Sequence, residues 1–198
     1  MSDSIAAGKA GHGGAVPEPV KSPNRRLSRV MEIAASAVLF NISWLAIVIN
    51  QSNAIAVAVV AAHLLVHFWL LGRDAGEVRL VLLLSALGFG LDQLLFSAGL
   101  FTVAGGDGGA PLWLSCLWPV FATTLCHAFH PLWGRITLAT VAGAVGGTGS
   151  YIAGTRLTAV AFSDPLWGPV ALVILWGLLF PALLALAARM VKRDAPAL

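Results

Sequence analysis

Six apolar stretches, each long enough to cross a lipid bilayer, constrain this chain more than anything else in it: about 30–49, 54–72, 80–100, 112–130, 136–154 and 166–188. Crossing the hydrocarbon layer takes roughly 20 predominantly apolar residues in a helix. Backbone in lipid has no water to bond, so it must satisfy its own N–H and C=O groups, which a helix does. The breaks between the stretches are short and polar or glycine-rich: INQSN at 49–53, GRDAGEVR at 72–79, VAGGDGGAP at 103–111 and HPLWGR at 130–135. Loops of this length make consecutive helices antiparallel neighbours. With 58% hydrophobic and only 11% charged residues, the chain lies far from the roughly 25% charged content of soluble domains.

Charge placement orients the bundle. Lys9, Lys21, Arg25, Arg26 and Arg29 precede the first stretch, Arg73 and Arg79 fall at the second loop, Arg135 at the fourth, and Arg189, Lys192 and Arg193 at the end. Six crossings with both termini cytoplasmic put all of these on one side, as the excess of basic residues in cytoplasmic loops requires. The expected fold is therefore an all-α polytopic membrane protein, a bundle of six transmembrane helices. Its domain spans 29–190, between a disordered basic tail over 1–28 and a short cytoplasmic tail over 191–198. The basic residues form no stripe interleaved with aromatics, so nucleic acid is not an expected partner. Cys116 and Cys126, about ten residues apart on a helix, are too distant to bridge.

Arg156 is the one basic residue on the other side. It ends a glycine-rich helix in which Ala139, Gly143 and Gly147 form one row and Ala142, Gly146, Ser150 and Gly154 the next. Small residues at this spacing let another helix approach closely. The outer end of the face turns polar at Ser150 and Tyr151, which with Arg156 make a candidate site for an anionic head group. Asp92, in LSALGFGLDQLLFSAGL, is a carboxylate inside the membrane, where a charge costs about 2.5–3.5 kcal/mol and is a functional candidate by default. Asn41 and Trp44 of the first stretch are candidate cavity residues. Pro119 and Pro181 should kink their helices, and Trp113, Trp118, Trp133 and Trp167 suit the interfacial belt.

His63 and His67, one turn apart, and His127 at similar depth are weak candidates for a metal site, because the carboxylate considered for it, Asp92, lies about 11 Å away along the helix axis. No metal or other cofactor is expected. Nucleophile elbows, P-loops and dinucleotide fingerprints do not occur in a usable context.

FNISWLAIV, GFGLDQLLFSAGLFTV, PLWLSCLWPVFATTLCHAF and GSYIAGTRLTAVAFSDP follow one another along the chain. In these segments the sequence resembles an uncharacterised family of bacterial inner-membrane proteins catalogued as domain of unknown function 2878, over about 36–188. The resemblance implies a small six-span protein of the bacterial inner membrane, associated with fatty-acid or lipid modification, and supports Asp92, Ser150, Tyr151 and Arg156 as site residues. The chain departs from the family pattern around Ile42, Ser43 and Trp44, and has Gly-Thr-Gly-Ser where Gly-Pro-Leu-Ser precedes the tyrosine.

The expected function is to bind or present an amphipathic, anionic lipid-like ligand as an accessory to lipid modification, in a cavity between the third, fourth and fifth spans. The bilayer, and possible other membrane proteins, are the remaining partners. The alternative is a membrane-embedded lipid-modifying enzyme with Asp92 as general acid and base. A small transporter is weaker, because the two halves of the chain show no repeat.

Overall fold

The computed structural model describes residues 23–72, 74–106 and 108–193. The expected tail over 1–28 lies outside the described residues as far as 22, as do 194–198 at the other end. Helix α1 (Pro23–Asn50) is followed by α2 (Asn53–Leu70) and α3 (Ala75–Ser97). Ser52 accepts a hydrogen bond from the Ile55 amide at the start of α2, and Asp74 accepts one at 2.8 Å from the Gly76 amide at the start of α3. These caps satisfy amides that the first helical turns leave without partners. The Asp74 cap also starts α3 five residues ahead of the expected stretch, so Glu77 lies in its first turn rather than in a loop.

The fourth apolar stretch, expected as one helix over 112–130, is helical only over Leu112–Thr124. It divides into α4 (Leu112–Ser115) and α5 (Leu117–Thr124). Pro119 has no N–H for the Ser115 carbonyl, and the helix restarts beside it. After Thr124 the chain runs through turns and a 3₁₀ turn at His130–Leu132. Helix α5 is the core of the bundle and packs against α1, α2 and α3. Val120, Ala122 and Leu125 are fully buried. Irregular backbone at membrane depth is tolerated where protein rather than lipid surrounds it.

Next come α6 (Ile136–Ala142), a π-helical stretch over Gly143–Gly147 and α7 (Thr148–Leu157), which together form one continuous helix. The last helix, α8 (Trp167–Arg193), carries Pro181 inside it. Among the described residues, five helices are long and apolar enough to cross a membrane: Arg29–Asn50, Asn53–Leu70, Ala75–Ser97, Ile136–Leu157 and Trp167–Val191. Their outward faces expose large apolar side chains such as Leu65, Trp69, Ile136 and Leu178, a surface suited to lipid.

The fold is not purely helical. Strands β1 (Phe101–Val103) and β2 (Val160–Phe162) pair antiparallel, with Phe101 opposite Phe162 and Val103 opposite Val160. Strands of three residues carry little periodic signal, which hides them in the sequence. The ribbon joins the α3–α4 loop to the α7–α8 loop, and Gln51 adds the α1–α2 loop: its side chain accepts from the Ala159 amide at 3.0 Å and donates to the Leu157 carbonyl at 3.5 Å. The Gln93 side-chain amide donates to the Ala110 carbonyl at 3.0 Å and accepts from the Ala110 N–H at 3.2 Å. One end of the bundle is thus stitched shut. Asp164, exposed outside the membrane, accepts from the Leu166 and Trp167 amides at 2.8 Å each at the start of α8. Those two backbone donors lower its pKa.

Candidate functional site

Asp92 is buried on α3 and faces the bundle. Its Oδ2 accepts from the Ser115 hydroxyl at 2.9 Å and from the Trp118 indole N–H at 3.0 Å, and Tyr151 lines the same cavity as the carboxylate. A glycine makes this arrangement possible. Gly88, one turn before Asp92, lies against the Trp118 ring so closely that a Cβ there would overlap it. The indole therefore lies along α3 from Gly88 to Asp92.

The two small-residue rows of the fifth span have separate jobs. Gly143 and Gly147 pack against α8, where a Cβ on either would overlap Trp176 or Phe180. Gly146 and Gly154 of the other row have no foreign atom within 4 Å of where a Cβ would stand. They line a cavity together with Ala142 and Ser150, and Gly143 and Gly147 border it from the α8 side. The π-helical stretch lies against α8; such bulges recur at functional sites.

The cavity measures about 240 Å³. Aromatic rings dominate its wall: Trp118 and Trp176 stack with centroids 5.8 Å apart, and Tyr151 stacks on Phe101 at 5.4 Å. Among the described residues, Asp92 is the one charged residue in the lining. The Trp176 indole N–H is buried and has no hydrogen-bond partner among the described residues. A buried donor left unpaired costs about 1–3 kcal/mol.

Four of the candidate residues meet here: Asp92, Ser150, Tyr151 and Trp44 all line the cavity. Two do not. Asn41 is exposed and donates to the Ala37 carbonyl of its own helix at 2.8 Å. Arg156 is exposed at the end of α7 and is not in the lining. Five residues of helix rotate it roughly 140° from Tyr151, which turns it away from the cavity wall. Trp113 and Trp118, expected in the interfacial belt, are buried in the lining instead. The third, fourth and fifth spans contribute as expected; α1, through Phe40, Trp44 and Val48, and α8, through Trp176 and Phe180, complete the wall.

The histidines form a second polar region. Thr123 donates its hydroxyl to the Val120 carbonyl at 2.7 Å, so it can only accept from His63 Nε2, 3.0 Å away. His63 Nδ1 then accepts from the Ser43 hydroxyl at 2.9 Å. Both ring nitrogens are spent, and His63 drops out as a metal ligand. His67 and His127 instead converge on Glu77: their Nε2 atoms lie 2.8 and 3.0 Å from the same Oε1. Glu77 is buried, and it was absent from the sequence-based set because GRDAGEVR reads as a loop. An acidic residue four positions after a basic one, directly ahead of an apolar run and preceded by a capping Asp74, was the available signal for a first helical turn.

A family model described as a protein of unknown function, DUF2878, matches residues 33–182. The chain belongs to that family. The DUF2878 match encloses every residue of the cavity lining, from Phe40 to Phe180, and also His67, Glu77 and His127. No curated protein and no solved structure matches the chain.

Proposed function

We propose that this DUF2878 protein holds the polar end of an amphipathic molecule in its aromatic cavity, as an accessory to lipid or fatty-acid modification in the bacterial inner membrane. The observation that carries the reading is a buried carboxylate on the wall of an otherwise apolar cavity. Sites for small molecules have this make-up, mostly aromatic and aliphatic with a few placed polar groups. At about 240 Å³ the cavity falls below the roughly 300–1,000 Å³ of pockets that enclose a whole drug-sized ligand. It suits a head end, with any longer tail lying among the helices or in lipid.

The chemistry of the wall revises the kind of head. With Arg156 outside it, the described lining offers an anion no cation, and Asp92 would repel one. A group that donates a hydrogen bond to Asp92 fits, such as a hydroxyl. An ammonium is the other donor, held by Asp92 and by the faces of Trp118 and Trp176. The sidedness of the basic residues supports six crossings with both termini cytoplasmic, the α4–α5 segment being the fourth.

Mass spectrometry of molecules co-purifying with the full-length protein tests this. A defined alcohol or amine lipid, present in wild type and depleted in Asp92→Asn, is the expected result. Retention of the same molecule by both proteins would show that Asp92 does not anchor it. Should Asp92→Asn keep the ligand but fail to turn it over, the enzymatic reading replaces the accessory one.

A further inference from the structure

We infer that His67, Glu77 and His127 form a binding site for one first-row divalent transition-metal ion, with zinc the best match. One ligand atom from each lies within 4.8 Å of the others. They come from three separate segments: the last turn of α2, the first turn of α3 and the turns after α5. Two imidazoles and one carboxylate are a ligand set for a borderline divalent ion, and three protein ligands leave a fourth position for water.

The geometry is close to what such an ion needs. Bond lengths of about 2.0–2.1 Å place the ligand atoms of a tetrahedral ion roughly 3.3 Å apart. The contacts of 2.8 and 3.0 Å to Glu77 open to that spacing with small side-chain rotations. The two imidazole planes are 73° apart with centroids at 5.1 Å, so the rings approach the carboxylate from different directions rather than stacking.

The surroundings of the site add two observations. Gly72 brings the chain close to it: a Cβ there would stand 2.6 Å from Glu77 Oε2 and 3.5 Å from His127 Nε2. His67 and Glu77 are both buried, and an ion held by their facing atoms and by His127 supplies the carboxylate with a countercharge inside the protein. His127, with its side chain 14% exposed, gives the site an edge through which an ion can enter.

The experiment uses the full chain in detergent, purified without a polyhistidine tag, stripped with chelator and titrated with Zn²⁺ against a competing chelator. Wild type should take up about one equivalent per chain. Affinity should fall at least about tenfold in His127→Gln and in Glu77→Gln, since even residues behind the ligands cost that much. His63→Ala should bind as wild type does. Cobalt substitution gives a second readout on wild type alone, through the visible bands of a four-coordinate ion, should a variant fail to fold. Uptake unchanged in both ligand variants, an equal loss in His63→Ala, or no stoichiometric uptake by folded wild type with no such cobalt spectrum would each overturn the site.

Discussion

Two carboxylates lie buried on the same helix, Asp92 and Glu77, about 22 Å apart by helix rise, and they are surrounded in opposite ways. Glu77 is met by two imidazoles that bring three segments of chain together. Asp92 is met by a hydroxyl and an indole, both uncharged donors, and it borders open space. A carboxylate gripped by basic side chains is built to fasten; one held by neutral donors on a cavity wall is built to meet something from outside. Burial alone does not distinguish them, since both are at most 2% exposed. Their partners do.

The largest expected effect is at the Glu77 end. His67→Ala should destabilise the protein by about 3–5 kcal/mol, because it takes one of its two imidazole partners from a buried carboxylate, read as unfolding in detergent. A loss no greater than that of an exposed-face substitution would remove the fastening role. Next come the glycines. Gly147→Ala and Gly88→Ala should each cost about 1–3 kcal/mol by overpacking against Trp176 and Trp118. Gly146→Ala, whose new methyl enters open space, should instead match or exceed wild type by about 0.5–1 kcal/mol in the same unfolding measurement. Gly88→Ala should disturb only the Asp92 end and leave Zn²⁺ uptake intact.

Arg156→Ala should leave the co-purifying molecule at wild-type levels, in contrast to Asp92→Asn; depletion in both would bring Arg156 back into the site. The smallest effect concerns Asp164. Its carboxylate has a lowered pKa in the folded state, so the stability it contributes is present above the ordinary aspartate range and is lost as pH falls through the folded value. Unfolding curves of Asp164→Ala and wild type should therefore differ near neutrality and converge in acid.

Much of this was legible in the residues. Apolar length located the long helices, and small-residue spacing located the face of the fifth span, because lipid and close packing act on composition directly. Asp92, Tyr151, Ser150 and Trp44 were identifiable because polar or bulky groups at membrane depth stand out. What escaped depends on helix ends and rotation. The cap at Asp74 drew Glu77 into α3, and so supplied the histidines with the carboxylate that Asp92 was too distant to be. The angle between Tyr151 and Arg156 turned the latter away. The tryptophans at 113 and 118 looked interfacial because they lie near the start of an apolar stretch, whereas Pro119 breaks that stretch into a short buried helix. The two rows of small residues were indistinguishable until α8 was seen to pack on only one.

The central claim is that the space beside Asp92 receives a ligand, and the most direct test fills that space without touching the carboxylate. Gly146→Leu projects a side chain into the cavity from a position with no neighbour within 4 Å. Lipid extraction and mass spectrometry of this variant beside wild type should show one defined molecule in wild type and its loss in Gly146→Leu, with folding and Zn²⁺ uptake retained. The same molecule in equal amount in both would contradict the account.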